Sequence, residues 1–117
     1  MNIHNQTEVG EWVRSLIIGN RLYLFYQSKY WRALRKEVMQ EHKGECQMCK
    51  AKGFYKKAIT VHHDRWVRKH PSLALSKTYI YNGKEYKNLI PVCDLCHKAA
   101  HDFNKKEKNL LTAERWD

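Results

Sequence analysis

The segment "VCDLCHKAAH", residues 92–101, places two cysteines and two histidines within ten positions. Cys93 and Cys96 have the spacing of a metal-gripping knuckle, and Cys46 and Cys49 form a second one. Four thiolates saturate one tetrahedral zinc, which then holds structure and leaves no position open to a reactant. A clip between segments far apart in the chain is where such an ion helps a small core most. Two disulfides, or inert buried thiols, are the competing readings, and disulfides need an oxidising compartment.

The histidines suit a second, open site. His97 and His101 lie four residues apart on a candidate helix, so their imidazoles can share an ion. A further ligand must come from elsewhere, and His62-His63 ends a candidate strand, "KAITVHH". Neighbouring strand side chains point to opposite sides, so one of the pair can bind metal while the other serves a different purpose. His4, His42 and His70 read as ordinary surface or core histidines.

The runs "FYQSKYWRALRKEV", "CQMC", "VHH" and "KNLIPVCDLCHKAAH" resemble, in that order, the HNH endonucleases with the ββα-metal (His-Me finger) fold. The resemblance spans residues 25–103 and is strongest to small phage-encoded members. It implies an α+β chain: a zinc-stapled ββα-metal nuclease domain with N-terminal helices. His62 is then a ligand of the catalytic metal, and His97 and His101 complete that site from the helix. His63 is the general base, and Asn88, counted with it in the catalytic set, holds the loop between strand and helix in shape. His62 stands where many members have Asp, and Asp64 where an aliphatic residue is common.

The implied activity is divalent-metal-dependent hydrolysis of DNA phosphodiester bonds, nicking or cutting a duplex with weak sequence preference. Its cofactors are a structural Zn2+ and a catalytic ion from among Mn2+, Co2+, Ni2+, Zn2+ and Mg2+. Three imidazole ligands favour the transition metals over magnesium. Among phage members the resemblance also implies DNA packaging with terminase and portal proteins as partners. A non-catalytic zinc module that binds DNA or protein, and an RNA endonuclease, are the alternatives.

These residues need elements to position them. The chain has 117 residues, enough for one small domain, and a formal charge of +10, which suits a polyanionic partner. The reading is a single domain over residues 1–117: a helical extension at 1–27, the zinc-stapled core at 28–103, and a tail at 104–117. A first helix is expected near Glu8–Ile18, with Trp12, Val13 and Leu16 on its apolar side. Ser28 caps a second, "SKYWRALRKEVMQEHKG", closed by Gly44. Its Trp31, Leu34 and Val38 recur at core spacing, while Arg32, Arg35 and Lys36 form an outer basic group that can meet phosphates.

"ECQMCKAKG" reads as a tight turn, and Asn82-Gly83 between tyrosine-rich flanks as a hairpin. A helix is expected to begin at or near Cys96, and Leu110–Asp117 to add a last turn. The N-terminus lacks the pattern of a secretory signal, and "LIIGNRLYLFY" is too short and interrupted to span a bilayer. The expected setting is therefore cytoplasmic, that of the host if the chain is phage-encoded.

Overall fold

The structure is a computed structural model, and it describes residues 2–99. His101, the tail at 104–117 and the turn expected at Leu110–Asp117 lie outside the described residues. The elements run α1 (Gln6–Ile18), α2 (Tyr23–Gln27), α3 (Lys29–Glu41), α4 (Gln47–Ala51), β1 (Thr60–His63), a 3-10 turn (Pro71–Leu73), β2 (Thr78–Tyr81), β3 (Lys84–Lys87) and β4 (Leu89–Val92). Residues 94–99 are also helical and are called α5 below. Among the described residues, no helix is long and apolar enough to cross a membrane.

Capping fixes where the helices begin. Asn5, in extended backbone, accepts from the Thr7 and Glu8 amides and starts α1 two residues ahead of the expected position. The Ser28 hydroxyl oxygen accepts from the Trp31 amide at 3.2 Å and starts α3 as expected. Gly44, with φ +68, turns the chain after α3 and donates its N–H to the Met39 carbonyl at 2.9 Å. Helix α2 was not foreseen; its five residues seat Phe25 in the core. A short helix also replaces the turn expected at the first knuckle, and α5 begins at residue 94, ahead of Cys96.

One apolar core joins Val9 and Val13 of α1, Phe25 of α2, Trp31 and Val38 of α3, Val61 of β1 and Leu89 of β4. The N-terminal helices therefore share a core with β1 and β4. Helix α1 sits close to the 3-10 turn: a Cβ added at Gly10 would lie 3.0 Å from that of Ser72.

Strand β4 pairs antiparallel with β1, with His62 opposite Ile90 and His63 opposite Leu89. Sequence reading missed β4 as an element because Pro91 interrupts its donor ladder; a two-stranded ribbon has only edges, where proline is tolerated. Strands β2 and β3 form a separate two-stranded hairpin. Asn82 (φ 51) and Gly83 (φ 77) turn it, the left-handed pair that a tight hairpin turn requires.

Asn88, between β3 and β4, is completely buried and knits this half of the chain together. Its side-chain oxygen accepts from the Arg65 amide at 2.9 Å, and its amide nitrogen donates to the Leu73 and Ser76 carbonyls, each at 2.9 Å. Its backbone accepts from the Asp64 amide and donates to the Lys77 carbonyl. Asn88→Ala leaves three partly buried backbone groups without those partners and should destabilise the fold by on the order of 3 kcal/mol, measured by urea unfolding. Asn88→Asp keeps the acceptor but loses both donations, so it should not restore stability.

Candidate functional site

Both knuckles are shaped by their own backbone. The Cys49 amide donates to Cys46 Sγ, and the Cys96 amide to Cys93 Sγ, each at 3.4 Å. Each first cysteine thus sits where a short helix begins, with its sulfur turned toward amide donors. All four cysteines are buried and unbridged, and their sulfurs lie within 4.8 Å of one another. Cys49 Sγ is 3.9 Å from Cys93 Sγ and 3.6 Å from Cys96 Sγ. A zinc–sulfur bond of about 2.3 Å gives a tetrahedron with edges of about 3.8 Å, so the four sulfurs fit the ion.

The thiols also differ in acidity in the way a cation would relieve. Burial opposes ionisation of Cys46, but the backbone N–H groups of Cys49 and Cys93 together with the thiols of Cys49 and Cys96 outweigh it and bring the thiol down to about 7. Burial and the neighbouring thiols push Cys96 up to about 12. Four thiolates so close together need a positive ion between them. Cys46→Ser or Cys93→Ser should therefore abolish cooperative thermal unfolding, whereas His97→Ala should melt close to wild type.

The histidine pair divides between the two faces of the β1–β4 ribbon. Residues opposite one another share a face, so His62 lies with Ile90, and His63 with Leu89. The first face looks toward the cysteine cluster, against which Ile90 packs. There the His62 ring meets the His97 ring edge-on, with centroids 6.0 Å apart. Two imidazoles on one ion, each nitrogen about 2.1 Å from it, have centroids no more than about 6.5 Å apart, so this pair is within reach of a shared ion. Burial, then the nearby His97, lower His62 to about 4 against the opposing charge of Asp64. Burial lowers His97 too. Both rings are neutral at pH 7, as ligands must be.

His63 occupies the opposite face. It is 0 % exposed, stacks on Trp31 with centroids 4.7 Å apart and lies 6.2 Å from the Phe25 ring. Its Nε2 is 2.9 Å from the Ala74 carbonyl oxygen. A carbonyl only accepts, so Nε2 carries the proton and Nδ1 is the basic nitrogen. Burial pushes this imidazole down to about 4, with the Ala74 carbonyl opposing and His62 adding to the shift. Ala74 and Trp31 escaped sequence reading, one because it acts through its backbone and the other because its spacing indicated only a core residue.

The remaining candidates separate. Arg32 and Lys36 are exposed on α3, one turn apart. Arg35 departs from the outer group, because its guanidinium donates to the Ile59 carbonyl at 2.8 Å just before β1. Asn88 makes no hydrogen bond with either histidine; it braces the chain leaving β1 and the 73–77 segment, both within the connection between β1 and α5.

Folding lowers the proton affinity of His63, so its contribution to stability is complete above pH 6.5 and is lost as the pH falls toward 4. His63→Phe keeps an aromatic ring against Trp31 but cannot titrate. Relative to that variant, the wild type should lose on the order of 3 kcal/mol of unfolding free energy across this window. Urea melts of both proteins at the two ends of the window measure the difference, and the shared zinc site cancels.

Comparison with known proteins agrees with this arrangement. No curated protein matches the chain. The crystal structure of the HNH endonuclease of deep-sea thermophilic bacteriophage GVE2, solved with manganese ion, superposes with a TM-score of 0.61 at 19 % identity, covering 93 % of this chain and 99 % of that one. The HNH endonuclease family model matches residues 46–103, from the first knuckle through the second and past His97 and His101. The matched segment carries the four-cysteine cluster and the facing His62 and His97, so the chain resembles the HNH endonucleases in sequence over residues 46–103 and in overall fold.

Proposed function

We propose that the protein is a divalent-metal-dependent endonuclease that hydrolyses DNA phosphodiester bonds. The observation that carries this is the facing of His62 and His97 beside a cysteine cluster already suited to a structural zinc. His62, His97 and His101 would hold the catalytic ion, which supplies a Lewis acid for the phosphate and the departing 3′ oxyanion. The GVE2 structure with manganese supports an ion that accepts imidazole readily. Water attacks phosphorus as its proton passes to His63 Nδ1; the bond to the 3′ oxygen breaks, and the departing oxyanion takes a proton from solvent, leaving a 3′ hydroxyl and a 5′ phosphate. Arg32 and Lys36 grip the DNA backbone without regard to sequence, while Arg35 acts first on the approach to β1. In a phage setting the same activity would serve DNA packaging beside terminase and portal in the host cytoplasm.

The burial of His63 favours a second reading of the base. A ring sealed between Trp31 and Ala74 is suited to hold β1 in orientation, and His62 would then take the proton. Nicking of supercoiled plasmid by purified variants separates the two. With His63 as base, His63→Ala and His63→Phe both cleave a hundredfold or more slower, about the contribution of a general base. If His63→Phe cuts at the wild-type rate, the proton goes elsewhere. A protein that cuts under no divalent metal is no nuclease of this kind.

The donor set also sets the order of metals. Neutral imidazoles add little to magnesium binding, so cleavage should be strongest with Mn2+, Co2+ or Ni2+ and weaker with Mg2+. His62→Asp introduces an anionic oxygen and should move the preference toward Mg2+. Full activity in Mg2+ after trace-metal removal, unchanged by His62→Asp, would remove His62 from the ligand set.

A further inference from the structure

The β2–β3 hairpin contributes nothing to the apolar core, and residues 80–87 are all exposed. An isolated two-stranded hairpin is only marginally stable, so what holds this one in place bears on what it does. Its register puts Tyr79 opposite Tyr86 and Tyr81 opposite Lys84, which gathers three tyrosines and a lysine on one face. Tyr79 and Tyr86 stack with centroids 5.5 Å apart. Tyr81 and Tyr86 remain 53 % and 41 % exposed.

Arg65 anchors this face to the candidate active site. It lies two residues beyond His63, and Asn88 pins its backbone amide. Its guanidinium lies 4.5 Å from the Tyr79 ring centroid and 5.0 Å from that of Tyr81. The neighbouring Asp64 carboxylate is engaged by the Tyr79 hydroxyl. Among the described residues no carboxylate lies within ion-pair distance of Arg65. A guanidinium held over aromatic rings keeps a planar fork of donors, a geometry that matches phosphate. Glu85 projects on the other face, opposite Ile80, so the tyrosine face carries Arg65 and Lys84 without an opposing free carboxylate of its own strands.

We propose that this face grips a nucleic-acid strand whose bases are unpaired beside the bond to be cut, with Arg65 and Lys84 on phosphates and Tyr81 and Tyr86 stacked on bases. The proposal rests on the nuclease reading and narrows it to substrates such as flaps, gaps or frayed ends. Exposed rings interleaved with cations suit single strands, because in a closed duplex the base faces are inaccessible.

Fluorescence anisotropy with a labelled oligothymidine of about 12 nucleotides tests it, in buffer without added divalent ion so that cleavage plays no part. Tyr81→Ala should weaken binding roughly tenfold, and Tyr81→Phe should keep it, since stacking needs only the ring. Arg65→Lys retains charge but loses the fork and should weaken binding several-fold. Ile80→Ala, on the reverse face, should bind as wild type, and a blunt duplex of equal length should respond far less to Tyr81→Ala. The proposal is overturned if Tyr81→Ala and Arg65→Lys, shown folded by circular dichroism, both bind within about twofold of wild type. Equal losses from Ile80→Ala or on the duplex would also overturn it. A chain that binds in this way yet never cuts plasmid would overturn the nuclease reading alone.

Discussion

Four sulfurs drawn into one small volume set the geometry of the rest of the molecule. Cys49 and Cys96 are 47 positions apart in the chain, yet their sulfurs lie 3.6 Å from each other. That closeness brings the start of α5 up against the end of α4, with β4 running directly into the second knuckle. Because β1 pairs with β4, the clip also fixes β1 relative to α5, and His97 comes to face His62. An ion among four thiolates has no vacancy for a reactant. The separation of a four-cysteine cluster from a nearby imidazole pair follows from ligand chemistry and from His97 standing directly after Cys96 in α5.

The ribbon of β1 and β4 separates two environments. On one side, toward the cysteines, His62 meets another imidazole; on the other, His63 is enclosed by aromatic rings contributed by helices that precede the first knuckle. Both imidazoles are pushed toward the neutral form, and in both the largest cause is burial. The N-terminal helices thus have a direct bearing on the site: Trp31 and Phe25 make the dry wall that holds one histidine of the pair. Arg35 adds to this by holding the carbonyl of Ile59 at the entrance to β1.

Asn88 plays the corresponding part on the exit side. Its hydrogen bonds reach Arg65, Leu73 and Ser76, so the chain leaving β1 and the chain entering the hairpin are held by one buried amide. A residue that satisfies three backbone groups at once can shape a site without touching it. The ion pairs of Lys77 with Glu37 and Glu41, each at 2.9 Å, add a tie from the hairpin base to α3. They are surface contacts, and pairs of that kind contribute little individually.

Much of this is legible in the residues themselves. CxxC spacing fixes two knuckles because backbone geometry leaves their sulfurs few other uses, Ser28 marks a helix start by supplying an acceptor, and Asn82-Gly83 marks a hairpin by tolerating left-handed backbone. The order of these motifs is enough to show the likeness to the HNH endonucleases that residues 46–103 carry. Alternation along a strand even indicates that His62 and His63 must part company. What alternation cannot supply is which face meets the metal side and which the core, because that depends on the strand paired with β1 and on helices distant in sequence. The same holds for Arg35, whose long side chain has several reachable partners until tertiary packing chooses the Ile59 carbonyl. It holds for Arg65 over its tyrosines and for the Ala74 carbonyl as well. A backbone acceptor has no letter in the sequence, and only the fold decides which carbonyl comes within hydrogen-bonding distance of a given ring.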